Sequence, residues 1–233
     1  MYLSVVMPAF NEEASIESAV LDHLRVLEEL DPPVPDWEVV CVDDASFDRT
    51  PEILAALSRR EARVRVVRNR FNLGIYGAFT RCYREARGAY IYMTGSDGEW
   101  PAENLEPMLD RVRAGAELVV GVRSNRREVY TLRRRIVSYC FNLLPRLLFG
   151  VAVHDAGSVK LGCRAIFQFD LVSTSPFAEA ERLIKAVRSG RRVIFLPIRF
   201  VPRMDGTARG ATWKNIRGSL RDMFRCLRVY GFR

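Results

Sequence analysis

Glu38-Val39-Val40-Cys41-Val42-Asp43-Asp44-Ala45-Ser46-Phe47-Asp48-Arg49-Thr50-Pro51 moves from an apolar run to a helix start with two adjacent carboxylates between them. The run Glu38–Val42 reads as a buried strand. Asp48 and Thr50 suit an N-cap, and Pro51 suits a first helical turn. An Asx-rich turn therefore explains Asp48 and Thr50, but it explains Asp43-Asp44 poorly. Carboxylates at a strand's carboxyl end can accept hydrogen bonds from a base N–H or ribose hydroxyls.

The same strand-to-helix grammar repeats on either side. Leu3–Met7 reads as a strand closed by Pro8, and Glu13–Glu29 as a helix with Ile16, Val20, Leu21, Leu24 and Leu27 largely on one face. The Pro-rich 31–35 stretch is a loop. Val64–Val67 is a strand, Gly74–Ala86 a helix, Ala89–Met93 a strand and Glu117–Gly121 another. Such alternation predicts an α/β fold, with a mainly parallel sheet flanked by helices on both faces. Beyond it come a basic helical segment over Arg126–Phe149, a short polar stretch, a helix near Glu179–Ser189, a strand over Arg192–Leu196 and a terminal amphipathic helix. With no repeat or interdomain linker, residues 1–210 are expected to form one domain and 211–233 a helical tail.

Thr94-Gly95-Ser96-Asp97-Gly98-Glu99-Trp100-Pro101 follows the Ala89–Met93 strand. Asp97 and Glu99 thus sit where open α/β sheets bind ligands, and their oxygens suit Mg²⁺ or Mn²⁺ held against phosphates. Taken alone, the stretch is better read as an acidic turn with Gly98 at its tip. Pro8-Ala9-Phe10-Asn11-Glu12-Glu13 offers small residues and a ring at another strand end, or simply a helix start with acidic residues favoured by the dipole. Asn69–Ala78 is a Gly-containing loop entering a helix. It matches neither a P-loop nor GxGxxG, and close helix–sheet packing is the expected role of Gly74 and Gly77.

Composition narrows the partners. At 48% hydrophobic and 27% charged, the chain reads as globular rather than disordered. Lys and Arg outnumber Asp and Glu by 36 to 28, and the resulting net charge of +8 favours anionic ligands or surfaces. No nucleic-acid-binding signature accompanies the basic residues. Cys41, Cys82, Cys140, Cys163 and Cys226 are scattered without a CxxC pair, as expected of reduced cytosolic thiols. The N-terminus enters a strand with no signal peptide. The apolar stretch Ile136–Phe149, broken by Asn142, Pro145 and Arg146, falls short of the roughly 20 residues that span a bilayer. A cytoplasmic protein, soluble or peripheral on a membrane's cytoplasmic face, is expected.

Taken together, Pro8–Glu13, Val42–Thr50, Asn72-Leu73-Gly74 and the acidic turn resemble the family 2 glycosyltransferases of the GT-A (Rossmann-like) fold, in order and spacing. That resemblance implies a nucleotide-diphosphate-sugar donor, Mg²⁺ or Mn²⁺, and inversion at the anomeric carbon. The second half is similar to the dolichol- and polyprenyl-phosphate sugar synthases, through Gly121-Val122-Arg123, Arg134 with Ser138, Asp155–Lys160 and Phe200–Arg209. By this resemblance Pro8, Phe10, Glu12, Val42 and Asp44 line the nucleoside pocket, and Ser96, Asp97 and Glu99 face metal and diphosphate. Arg123, Arg203 and Arg209 lie near the donor phosphates, and Arg134 and Ser138 contact an acceptor phosphate. Asp97, Arg123 and Arg203 would be the catalytic residues. The family usually has Asp-x-Asp with Gln two residues on; here those positions are Gly95, Asp97 and Glu99, a shifted ligand set.

The favoured acceptor is a polyprenyl phosphate. The rivals are a hydroxyl on a glycan or small molecule, or a sugar-nucleotide-binding protein that has lost catalysis through Gly95. A hydroxyl acceptor would call for a carboxylate base, with Asp155, Glu179 and Glu181 as candidates. His154 reads as structural. Arg126, Arg127 and Arg133–Arg135 ahead of an apolar run, and Trp213, Ile216, Leu220, Met223, Phe224, Leu227 and Tyr230 on one stripe of the tail, suit either packing on the core or contact with an anionic membrane. A lipid acceptor in the bilayer also raises a partner membrane subunit.

Overall fold

The computed structural model describes residues 2–124, 132–201 and 213–231, without the side chains of 132–138, 140 and 214. In chain order the elements are β1 (Tyr2–Ala9), α1 (Ile16–Glu29), β2 (Asp36–Asp43), α2 (Thr50–Arg60), β3 (Val64–Arg68), α3 (Gly74–Glu85) and β4 (Tyr90–Met93). A 3₁₀ turn at Ala102–Asn104 leads to α4 (Leu105–Arg113) and β5 (Leu118–Arg123). After these come α5 (Leu132–Phe149), β6 (Lys160–Cys163), the short α6 (Arg164–Phe167), α7 (Phe177–Arg188), β7 (Val193–Ile198) and α8 (Trp213–Tyr230).

The strands form one sheet in the order β3-β2-β1-β4-β6-β5-β7. Every pairing is parallel except the two made by β6. Period-two alternation sends residues of one strand to opposite faces. Leu3, Val5 and Met7 pack with Ile16, Val20, Leu27, Leu105 and Leu109 on the α1/α4 side. Val6, Val40 and Val42 pack with Phe79, Tyr83, Phe177 and Leu183 on the other. The mainly parallel sheet covered by helices on both faces is the expected fold.

Three elements fall outside the sequence expectation, α4, β6 and the short α6. A lysine and a glycine break the apolar run of β6, so no strand pattern shows. Gly162 is required there, because a Cβ would lie 2.6 Å from the Glu117 carbonyl. Within the described residues the basic helical segment covers Leu132–Phe149, and Arg126 and Arg127 lie outside them.

At the amino ends of the strands a buried polar cluster ties the sheet together. Glu38 accepts from Ser4 Oγ (2.6 Å), Arg65 Nη1 (2.7 Å) and the Arg87 N–H (2.7 Å). Burial alone would raise the Glu38 pKa, but these donors outweigh it and hold it below the ordinary carboxylate value. Its stabilising contribution is therefore full at neutral pH and is lost as pH falls through the folded-state value. Glu38→Gln is expected to cost about 2 kcal/mol at pH 7. In thermal melts across pH, the gap between wild type and variant should close below about pH 4. A gap that stays constant to pH 3 would reject this account.

Candidate active site

The carboxyl ends of β1, β2, β4, β5 and β7 converge on one edge of the sheet, where doubly wound folds bind ligands. Since β6 runs the opposite way, the loop entering it, 155–159, arrives at that same edge.

The loops after β1 and β2 are laced together. The Asn11 and Glu12 N–H groups donate to Ser46 Oγ (3.0 Å) and Thr50 Oγ1 (2.9 Å), and the Phe47 N–H donates to Asn11 Oδ1 (3.0 Å). Asp48 also accepts from the Glu13 and Thr50 N–H groups, joining both loops. The N-cap position of α2 is Arg49 rather than Asp48 or Thr50, with no side-chain cap bond, because the Asp48 carboxylate and Thr50 hydroxyl serve the β1 loop. Phe10 meets the exposed Phe47 edge-on, at 5.9 Å between centroids. Pro8 and Val42 end buried strands beneath them. Asp43 accepts from the Ser46 N–H and pairs with Arg68 at 3.0 Å. Asp44, 2% exposed, accepts from Asn69 Nδ2 (2.7 Å), the Leu73 N–H (2.9 Å) and the Gly74 N–H (2.9 Å). The carboxylate therefore organises the turn into α3. Gly74 is needed for its positive φ of 74° rather than for packing, since nothing would lie within 4 Å of a Cβ there. At Gly77 a Cβ would meet Leu73 of the same helix entry, so packing on the sheet is not its role either.

The acidic turn is closed from both sides. Ser96 is buried and donates to the Pro8 carbonyl at 2.9 Å, so it ties β4 to β1, and its donor does not face a diphosphate. The Glu99 N–H donates to Asp97 Oδ1 (3.1 Å), and the Glu99 carbonyl accepts from the Val201 N–H (2.9 Å). A Cβ on Gly95 would lie 2.9 Å from Asp97 Oδ1, so the missing carboxylate at 95 leaves room that Asp97 uses. Beside this turn, Arg123 Nη1 meets Asp155 Oδ1 at 2.6 Å, and its backbone N–H donates to Asp155 Oδ2 at 2.9 Å. The guanidinium lies over Trp100 (4.7 Å) and Phe200 (4.8 Å), whose rings touch edge-on. Arg123 is thus a fixed cation beside Asp97 and Glu99. Trp100 and Phe200 were present in the motifs, but only tertiary contact reveals them as its walls.

Arg203 and Arg209 lie outside the described residues. Arg134 and Ser138 fall one turn apart on α5, and their side chains are likewise not described. His154 is exposed and meets the Phe195 ring edge-on at 5.1 Å.

The glycosyl transferase family 2 model matches residues 4–173, which holds the acidic turn, Arg123 and Asp155. The chain belongs to that family. Among curated relatives, "Glycosyltransferase AglD" of Haloferax volcanii is 31% identical over 211 residues, covering 87% of this chain and 34% of that protein. An undecaprenyl-phosphate 4-deoxy-4-formamido-L-arabinose transferase of Pseudomonas paraeruginosa is 34% identical over 157 residues, covering 66% of this chain and 44% of that one. The chain therefore spans less than half the length of either relative. The fold is shared with glucosyl-3-phosphoglycerate synthase of Mycobacterium tuberculosis, solved with Mn²⁺, UDP and phosphoglyceric acid, at TM-score 0.74 and 19% identity, over 100% of this chain and 79% of that one. It is also shared with the mannosyltransferase PcManGT of Pyrobaculum calidifontis, solved with GDP-Man and Mn²⁺, at TM-score 0.67 and 20% identity, over 97% of this chain and 64% of that one.

Within this family 2 domain, the carboxylates considered as bases are tied up. Glu181 accepts from the Val172 and Ser173 N–H groups (both 2.8 Å) and from Tyr230 OH (2.6 Å). Glu179 is buried 3.1 Å from Lys160 Nζ, and Asp155 is paired with Arg123. Asp44→Ala, which strands the Asn69, Leu73 and Gly74 donors, is expected to cost about 2 kcal/mol. The check is urea unfolding, where the midpoint should fall at unchanged slope. An unmoved midpoint would show that this carboxylate does not hold the loop.

Proposed function

We propose that this chain is the catalytic domain of an inverting glycosyltransferase that moves a hexose from GDP-mannose or a UDP-sugar to a polyprenyl phosphate. The observation that carries the reading is Arg123, fixed by Asp155, Trp100 and Phe200 beside the Asp97/Glu99 turn at the strand ends. The lipid acceptor is supported by the undecaprenyl-phosphate relative, and the nucleotide donor by the structures solved with UDP and GDP-Man.

Asp97 and Glu99 supply hard oxygens on a turn that Gly95 keeps open. Among the described residues no group of three His, Cys, Asp or Glu side chains forms a complete cage. This fits Mg²⁺ or Mn²⁺ held by one or two carboxylates, with phosphate oxygens and water completing the shell. When bound, the cation would neutralise charge on the departing diphosphate. Phe10 and Phe47, with Pro8, Val42, Glu12 and Asp44 around them, would hold the nucleoside. Arg123 would then stabilise the diphosphate as the bond from the anomeric carbon to its oxygen breaks, with Arg203 and Arg209 as further cations. An acceptor oxygen attacks that carbon from the opposite face, and the nucleoside diphosphate leaves.

The state of Glu179 and Glu181 favours the phosphate acceptor over a hydroxyl. A hydroxyl needs a base, whereas a phosphate monoester with its second pKa near 6 is already largely dianionic at pH 7. Arg134 and Ser138 would position it. No helix among the described residues is long and apolar enough to cross a membrane. Yet α5 and α8 expose Tyr139, Leu147, Trp213, Phe224 and Val229, with Arg217, Arg221, Arg225 and Arg228 among them. Such faces suit peripheral contact with anionic lipid, on the cytoplasmic side where the free thiols Cys41, Cys82, Cys163 and Cys226 would persist.

The test is nucleoside diphosphate release with Mg²⁺ or Mn²⁺ from GDP-mannose, UDP-glucose and UDP-N-acetylglucosamine, with and without a short polyprenyl phosphate. Lipid-dependent release of one diphosphate, falling at least about a hundredfold in Asp97→Ala, is the expected result. Release that ignores the lipid but follows a sugar hydroxyl would move the acceptor to a glycan.

A further inference from the structure

The loop that presents Asp155 to Arg123 is held from behind by a buried charge cluster. Lys160, the first residue of β6, is fully buried. Its ammonium donates to the carbonyls of Ala156 (2.5 Å) and Ser158 (3.1 Å), both in that loop. It pairs with Glu179 Oε2 of α7 at 3.1 Å, an ion pair rather than a well-directed hydrogen bond. Glu179 Oε1 in turn accepts from Tyr83 OH (3.2 Å) and faces Arg182 Nε at 3.5 Å. Arg182 donates to the carbonyls of Ile166 and Phe167, and its guanidinium lies over the Tyr83 ring at 4.8 Å.

Stability alone is a poor reason for such a cluster. Burying an ion pair sets a desolvation penalty against its Coulombic gain, and well-packed apolar residues often serve as well or better. What an apolar side chain cannot do is satisfy two carbonyls that point inward from a loop. That loop needs holding, because Asp155 adopts a left-handed φ of 52°, which is costly for a residue other than glycine. The turn is otherwise closed by the Ser158 N–H donating to the Asp155 carbonyl (2.8 Å). A short covalent path therefore runs from the Lys160 contacts to the carboxylate that fixes Arg123.

We infer that Lys160 is a positioning residue: seated by Glu179, its ammonium fixes the Asp155 loop and, through Asp155, the orientation of Arg123 toward the donor diphosphate. Lys160 itself touches neither the donor nor Arg123. The inference rests on the reading of Arg123 as the cation that meets the diphosphate, and its test separates the two.

The experiment titrates UDP, UMP, GDP and GMP, each with Mn²⁺, into wild type, Lys160→Met, Glu179→Gln, Arg123→Gln and the Lys160→Met/Arg123→Gln double variant, with a melting curve for each. For whichever nucleotide binds, Arg123→Gln should weaken the diphosphate about tenfold and leave the monophosphate unchanged. Lys160→Met should produce the same selective loss, and the double variant should be no weaker than Arg123→Gln alone, because both changes disable one device. Glu179→Gln, which keeps the side-chain shape, should move the diphosphate in the same direction by a smaller factor. It carries the test if Lys160→Met does not fold. A lowered melting temperature with an unchanged ratio of diphosphate to monophosphate affinity would make the cluster purely structural and overturn the inference. So would additive losses in the double variant. An Arg123→Gln protein that binds the diphosphate normally would instead overturn the reading of Arg123, and a wild type that binds neither diphosphate would overturn both.

Discussion

The direction of β6 is the constraint on which the site depends. In a wholly parallel sheet, the loop entering a strand lies at the edge opposite to the one where ligands bind. Reversing β6 between β4 and β5 brings its entry loop, and Asp155 with it, to the edge where Arg123 and the acidic turn emerge. The Asp155–Arg123 pair then links β5 to β6 across the sheet. Trp100 and Phe200 link that pair to β4 and β7. A cation gripped in this way needs little reorganisation when negative charge develops beside it, which is the condition for efficient electrostatic stabilisation.

Much of this was legible in the sequence because it depends on period and on strand-end chemistry. Apart from Ser4 and Glu38, the runs Leu3–Met7 and Glu38–Val42 are apolar at both alternating positions, and their strands are buried on both faces. The carboxylates of 43, 44, 97 and 99 stand at strand ends, as their positions after those runs imply. β6 was hidden for a physical reason. Its lysine is tolerated in the core only because Glu179, distant in sequence, pairs with it, and its glycine reflects a neighbouring carbonyl. Propensity carries no trace of either partner. Ser96 illustrates the same limit at the site: its place in the motif suggests a ligand contact, whereas its hydroxyl serves the Pro8 carbonyl. For Gly74 the local reading found the right residue and the wrong cause.

Several acidic residues near the functional edge are defined by the donors around them. Asp43, Asp44, Asp48, Glu179 and Glu181 each meet donors supplied by the fold, and those donors determine loop geometry. Burial by itself raises the pKa of Glu179 and Glu181, but Lys160 and Arg182 in the first case, and Ser173 and Tyr230 in the second, hold both below the ordinary value. They are buried and anionic, a poor state for accepting a substrate proton. Asp97 and Glu99 stand on the turn after β4, where the Glu99 N–H donates to Asp97 Oδ1 and the Glu99 carbonyl accepts from the Val201 N–H.

Docking of α8 decides which faces remain for a surface. Asp222 accepts from the Thr174 and Ser175 N–H groups (2.9 and 3.0 Å), and Tyr230 donates to Glu181, so the helix is pinned near both its middle and its end. With the rotation fixed by these polar anchors, Met223, Cys226 and Leu227 enter the core beside Leu183 and Ile184. The helical period then forces Phe224 and Val229 outward, together with Arg221, Arg225 and Arg228. The apolar stripe is thus broader than the core can cover. Its uncovered part is bordered by Arg221 and Arg225, which lie 3.3 and 3.8 Å from Asp222 Oδ1, and by Arg228. The same polar contacts that hold the tail helix to the domain therefore also set the character of the face it offers to its surroundings.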